Sequence, residues 1–158
     1  MPTKFTGKET TRLALDAFIK INRCTNSLVA QVASSLAPHN LTLSQFAVLE
    51  ALLFNGEMRS GEISHKILKS GGNITKVVDN LEKMGMVTKK RSNEDARCHL
   101  VKLTETGTKK IKLVFPDIRD KIEAMMNTIA PEEILALSTI TRKLGTEVSK
   151  ESLKNNKL

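Results

Sequence analysis

The feature that most constrains the fold is the stretch from Lys8 to Leu36, which contains no proline and no glycine. Its apolar residues recur mostly at helical spacing, which predicts one long amphipathic helix. These residues are Leu13, Ala17, Ile21, Leu28, Val32 and Leu36, with Phe18, Val29 and Ala33 along one edge. At 1.5 Å per residue such a helix spans roughly 40 Å, which is longer than the core of a small domain. Much of it is therefore expected to pack against another chain.

Three shorter helices are predicted between residues 42 and 85. Thr42 and Gln45 have the spacing of a capping box and start the first of them, which ends at Asn55 and Gly56. A short helix over 60–67 follows, and a third helix begins at Ser70-Gly-Gly-Asn-Ile-Thr75. The apolar residues expected to face the core are Ile63 and Ile67 in the second helix, and Ile74, Val77, Val78, Leu81 and Met84 in the third. Gly85 is expected to end the third helix, and Asp79 and Lys83, one turn apart, can form an ion pair on it.

Two runs of β character come next, at 86–91 and 98–103, and a charged segment between them predicts a hairpin. Thr104 is then expected to cap a long helix that kinks at Pro116, and Pro131 to start a last helix. Three short helices followed by a hairpin are typical of a winged helix-turn-helix. The predicted fold is mainly α with a small β-hairpin wing, flanked by long N- and C-terminal helices.

The positive charge is concentrated in the same central region. The chain carries 25 Lys and Arg against 17 Asp and Glu, a formal charge of +8, and residues 56–112 account for +6 of it. A basic segment between near-neutral flanks suits a binder of phosphate backbones, although a solvated basic face fits the charge equally well. Because the chain has five Phe and no Trp or Tyr, binding of single strands by base stacking is disfavoured.

Other functional classes find little support in the sequence. No secretory or membrane segment is apparent, so a cytoplasmic location is expected. No P-loop, nucleophile elbow, zinc-protease motif or cofactor motif occurs, so we expect no enzyme and no cofactor. Cys24 and Cys98 are too few for a disulfide scaffold, and with His39, His65 and His99 they form no metal-ligand spacing.

Two groups of residues suit contact with double-stranded DNA. The predicted third helix begins with small hydrogen-bonding residues and a cation, from Ser70 to Lys76, and its N-terminal amides can face phosphate. The hairpin is basic on both sides of its tip, through Lys89, Lys90, Arg91 and Arg97. These positions predict a helix for the major groove and a wing for the adjacent backbone or minor groove.

Four phrases in this order resemble the MarR family of bacterial transcriptional regulators. They are Leu41-Thr-Leu-Ser-Gln-Phe-Ala-Val-Leu49, Asn80-Leu-Glu-Lys-Met-Gly-Met-Val87, Asp95-Ala-Arg97 and Leu103-Thr-Glu-Thr-Gly107. The resemblance covers nearly the whole chain, and the segment from Lys66 to Asn80 further resembles a branch associated with quinone and catechol responses.

The resemblance implies roles for individual residues. Asn73, Thr75 and Lys76 would face base edges or nearby phosphates, with Ser70 and Gly72 at the helix entry. Arg97 would enter the minor groove, oriented by Asp95. The plainer alternatives are a solvated helix position for Asn73 and an ordinary surface ion pair for Asp95 and Arg97.

The resemblance also implies the organisation and the activity. Residues 1–36 and 105–150 would form a homodimer, 37–104 the DNA-binding domain and 151–158 a flexible tail. The dimer would act as a repressor on a palindromic operator and would be released by a small phenolic or quinone-like ligand in a cleft between the winged lobe and the dimer helices. Two alternatives remain: redox sensing through Cys24 or Cys98, or a winged helix that binds protein.

Overall fold

The computed structural model describes residues 5–67, 71–91 and 99–155. Along the chain its elements are α1 (Glu9–Leu36), a 3-10 turn (Ala37–His39), α2 (Leu43–Asn55), β1 (Met58–Arg59), α3 (Ser60–Lys66), α4 (Gly71–Lys83), β2 (Val87–Arg91), β3 (His99–Leu103), α5 (Glu105–Met126) and α6 (Pro131–Asn155). The predicted fold class is confirmed, since α2, α3 and α4 precede the β2–β3 hairpin in the order of a winged helix-turn-helix.

The start of α2 shows how local sequence sets the helix boundaries. The Thr42 hydroxyl accepts from the Gln45 backbone N–H at 3.2 Å, and the Gln45 side chain accepts from the Thr42 N–H at 2.8 Å. This is the predicted capping box, and it satisfies two amides that the helix itself leaves unpaired. Before it, Asn40 adopts the left-handed conformation (φ 55°) that ends the 3-10 turn after α1.

Among the described residues, the winged region buries its apolar side chains together with the end of α1 and part of α5. The largest fully buried side chains are Leu36, Leu49, Ile63, Ile74, Leu81, Ile111, Ile118, Val48, Val78, Val87, Val101 and Val114. Met84, predicted inward, is 40% exposed, because α4 ends at Lys83 and the next residue leaves the buried face. Ile67, also predicted inward, is half-buried, because α3 ends at Lys66 and Ile67 is the first residue after the helix.

The described strands form one antiparallel sheet in the order β1-β3-β2. Val87 pairs with Leu103 and Lys89 with Val101 in the hairpin, while Met58 pairs with Val101 from the other side. The hairpin was predicted, but β1 was not. A strand of two residues carries no alternation that sequence reading can detect.

A tight junction joins the end of α4 to the start of α5. The Thr104 hydroxyl donates to the Gly85 carbonyl at 2.7 Å and accepts from the Gly107 N–H at 3.0 Å. The Thr104 N–H donates to the Met86 carbonyl at 3.0 Å. Gly85 has φ 70°, the left-handed conformation that glycine tolerates best. Gly85 as the end of α4 and Thr104 as the cap of α5 are therefore both confirmed.

The chain divides into two compact units, one through Lys121 and one from Ile122 onward. α5 remains helical on both sides of Pro116, so the proline at which we predicted a kink does not interrupt the helix. α6 continues to Asn155 and includes most of the segment 151–158 that we predicted as a flexible tail. Among the described residues, no helix is long and apolar enough to cross a membrane.

Candidate nucleic-acid interface

The two faces of α4 are sharply different. Ile74, Val77, Val78 and Leu81 are buried at the i, i+3, i+4, i+7 spacing of a helix that packs on a core. The other face is polar and open to solvent, and its exposed residues are Gly72, Asn73, Thr75, Lys76, Asn80 and Lys83. The apolar stripe therefore fixes which side chains α4 can offer to a partner.

The N-terminal end of α4 suits an anion. No acidic residue lies in its first turn, so the positive end of the helix dipole is not neutralised there. Gly72 has open space where a Cβ would stand, which leaves the backbone accessible. Ser70, the predicted residue of the helix entry, lies outside the described residues.

The register of the hairpin separates two lysines that are adjacent in sequence. Lys89 is paired with the buried Val101 and Lys90 with Leu100. Because paired residues share a face and neighbours along a strand alternate, Lys89 lies on the face toward α4 and Lys90 on the opposite face. Lys90 is exposed, whereas Lys89 is half-buried.

The Lys89 ammonium lies between two carboxylates of α4. Its Nζ is 2.6 Å from Asp79 Oδ1 and 2.8 Å from Glu82 Oε2. The hydrogen bond from Lys89 holds the pKa of Asp79 below its ordinary value, and hydrogen bonds to Asp79 and Glu82 raise the pKa of Lys89. We predicted a partner for Asp79 one turn along the helix at Lys83, but Asp79 forms its ion pair with Lys89, and Lys83 contributes only a weaker attraction.

A small recess of about 280 Å³ opens at this junction. Arg59, Thr75, Asp79, Lys89 and His99 lie around it, so it belongs to the space between α4 and the sheet. Sequence reading missed Asp79, Glu82 and Arg59 as residues of this region. Both acidic residues stand in segments that carry the family resemblance, Asp79 between Lys66 and Asn80 and Glu82 in the phrase Asn80-Leu-Glu-Lys-Met-Gly-Met-Val87.

Asp95, Arg97 and Cys98 lie outside the described residues. Arg91 is the last residue of β2, and its backbone pairs with His99. Their DNA-binding and redox roles stay predictions.

The remaining candidates for chemistry are scattered. Cys24 is exposed on α1. His39 Nε2 lies 3.6 Å from Asp117 Oδ2, while His65 lies in the last turn of α3 and His99 begins β3. Within residues 5–67, 71–91 and 99–155, no three His, Cys, Asp or Glu side chains are placed to hold a metal ion.

Comparison with known proteins gives consistent similarities. A family model described as transcriptional regulator SarA/Rot matches residues 31–114. The HTH-type transcriptional regulator MhqR of Bacillus subtilis (strain 168) is 31% identical over 135 residues, which are 85% of this chain and 93% of MhqR.

Two solved structures share the fold at low identity. AbsC, a MarR family transcriptional regulator from Streptomyces coelicolor, superposes with a TM-score of 0.78 at 20% identity, covering 94% of this chain and 99% of AbsC. The organohalide-sensing regulator RdhR in its 2,4-dichlorophenol-bound form gives a TM-score of 0.77 at 21% identity, covering 93% of this chain and 89% of RdhR.

Proposed function

Because the chain belongs to the MarR family of winged helix-turn-helix DNA-binding transcriptional regulators, we propose that it is a repressor that binds a palindromic operator as a homodimer. In each protomer α4 enters the major groove. The wing, through Lys90, Arg91 and Arg97 with Asp95 orienting Arg97, reaches the adjacent backbone and minor groove.

The observation that carries this proposal is the exposed face of α4. Asn73, Lys76, Asn80 and Lys83 are all exposed, and they lie on the side of the helix away from its apolar anchor. Asparagine amides pair with adenine edges, and lysine ammonium groups bind guanine or phosphate. Thr75 lies at the recess with Lys89 and His99 of the sheet, and its methyl and hydroxyl groups suit thymine or phosphate.

Dimerisation is supported by apolar side chains that a protomer leaves exposed. On α1, Leu13 is 58% and Phe18 is 65% exposed, and only Val32 and Leu36 of the predicted stripe are buried. On α6, Leu137, Ile140, Leu144 and Val148 form an exposed stripe of their own. Since soluble monomers rarely expose contiguous apolar faces of this kind, we assign α1, α5 and α6 to the interface between two copies.

Two-fold symmetry of the protein requires matching symmetry in the DNA. A footprint on promoter DNA is expected to show two inverted half-sites whose centres are about 10 bp apart, which is one helical turn. Affinity is expected to fall steeply with salt, because lysine contacts release counterions from the phosphates. A single asymmetric half-site would contradict the proposal.

Asn73→Ala is expected to weaken operator binding by about 1–3 kcal/mol and to relax discrimination at particular base pairs. The physical reason is the loss of a side-chain amide that pairs with a base edge. Fluorescence anisotropy on the operator and on a random duplex of equal length measures both effects. Asn127→Ala, an exposed asparagine in the turn after α5, is the matched control and should change neither affinity. Equal losses on both duplexes for Asn73→Ala would exclude a base-reading role.

We propose that a small phenolic or quinone-like molecule releases the repressor. The similarity to MhqR is consistent with the quinone-associated branch, and the similarity to RdhR gives one fold relative with a bound phenol. A ligand releases DNA only if it prefers the state that does not fit the operator, and a 100-fold preference supplies about 2.7 kcal/mol.

A variant without cysteines separates this mechanism from thiol oxidation. Cys24→Ser with Cys98→Ser should still bind the operator and still release it when a phenol or quinone is added, because non-covalent binding needs no thiol. Gel shifts of the wild type and the double variant, with and without the ligand, make the comparison. If the double variant binds DNA but no longer responds to quinone or peroxide, the redox alternative replaces the ligand.

A further inference from the structure

We propose that Lys89 is a positioning residue that locks the wing to α4 through Asp79 and Glu82, and that it does not contact DNA phosphate. The inference rests on the proposed function, in which α4 and the wing bind the same duplex. It departs from the expectation that every lysine of the wing faces DNA.

The sheet register gives the first reason. The cross-strand partner of Lys89 is Val101, which is fully buried, and the residue two positions earlier on the same strand, Val87, is buried as well. Since alternate residues of a strand share a face, the side chain of Lys89 leaves the backbone toward α4. Lys90 leaves it toward solvent and can reach phosphate.

The polar contacts give the second reason. One carboxylate, that of Glu82, accepts from the Lys89 backbone N–H at 3.2 Å and from its ammonium at 2.8 Å. Asp79 accepts from the same ammonium at 2.6 Å. Glu82 therefore holds both the main chain and the side chain of one wing residue. Three contacts fix the position of β2 relative to α4, and they occupy two of the three ammonium donors.

The balance of charge gives the third reason. Two carboxylates face the Lys89 ammonium, so its positive charge is balanced within the protein. The pKa of Lys89 is raised and that of Asp79 is lowered by the hydrogen bond between them, so this pair remains ionised at neutral pH. An ammonium already neutralised in this way releases no counterion from DNA.

Locking the wing matters because the two reading elements act together. When α4 is bound in the major groove, a wing held at a fixed distance meets the backbone at a high effective concentration. A wing that moves relative to α4 loses part of that advantage. The loss is larger on the operator, where both elements fit, than on a random duplex.

A charge exchange tests this directly, with a duplex that the wild-type dimer selects from a randomised-sequence library. Lys89→Glu alone should weaken binding to that duplex by roughly tenfold or more, and Lys89→Glu combined with Glu82→Lys should restore it to within about threefold. A glutamate cannot bind phosphate whatever its partner is. Recovery would therefore establish pairing with α4 as the role of position 89, and failure of a folded double variant to recover would overturn it.

A second measurement stands even if the exchanged protein does not fold. Lys89→Met and its neighbour Lys90→Met each remove one positive charge. Lys90→Met should reduce the slope of log affinity against log salt by about one, while Lys89→Met should leave that slope unchanged. A reduced slope for Lys89→Met would overturn the inference. If the wild type selects no sequence and shows no salt-dependent DNA binding, it is the proposed function that fails.

Discussion

Ile140→Glu is expected to dissociate the dimer and to weaken operator binding by about 100-fold or more. Ile140 is 63% exposed within the protomer, so a glutamate there leaves the protomer's own core intact. In the proposed dimer the same position is covered, and an unpaired buried carboxylate costs about 3 kcal/mol or more. Because a two-fold interface contains the substitution twice, the dimer dissociation constant should rise by roughly four orders of magnitude.

Sedimentation at micromolar concentration measures the oligomeric state, and a gel shift measures DNA binding. A protomer that binds one half-site loses the second half-site, so its affinity should fall by about 100-fold or more. Thr146→Glu introduces the same charge on the opposite side of α6 and is the matched control, because it should remain dimeric. If Ile140→Glu stays dimeric, α6 does not form the interface. A stable wild-type monomer would remove the dimer from the proposal altogether.

Sequence reading succeeded where the signal is local. The start of α2 needed only Thr42 and Gln45, three residues apart, and the burial of α4 needed only the spacing of its apolar residues. The uncovered stripe of α1 was also anticipated, because a helix of that length exceeds the core of one small domain. These features depend on hydrogen bonds and periodicity within a single element.

Sequence reading failed where a partner lies far along the chain. β1 is defined by its pairing with Val101 and Leu100, more than 40 residues later. Asp79 was matched with Lys83 because that pair is one helical turn apart, whereas Lys89 reaches it only after the chain has turned back through Gly85. The difference between Lys89 and Lys90 could have been predicted from Val87. Because Val87 is buried and Lys89 is two residues beyond it on the same strand, the two side chains share a face.

Gly107, the last residue of the phrase Leu103-Thr-Glu-Thr-Gly107, lies against the backbone of Met86, and replacing it is expected to have a large effect on stability. An alanine Cβ at position 107 would overlap the carbonyl oxygen and carbon of Met86. That carbonyl accepts a hydrogen bond from the Thr104 N–H, and the Thr104 hydroxyl accepts one from the Gly107 N–H. Neither the turn at Met86 nor the start of α5 can therefore move away without breaking a hydrogen bond. Gly107 thus lets α5 begin directly against the turn that leads into the wing.

Gly107→Ala is accordingly expected to destabilise the fold by about 3 kcal/mol, combining steric overlap with a lost hydrogen bond. Thermal unfolding at a fixed protein concentration should show a Tm lower by roughly 6–12 °C. Gly145→Ala is the control, because a Cβ there meets nothing within 4 Å and the residue lies inside α6. It should raise stability by about 0.5–1 kcal/mol by restricting the unfolded chain. Two Gly→Ala changes in helices should therefore have opposite signs, and an unchanged Tm for Gly107→Ala would show that the turn before the wing yields without cost.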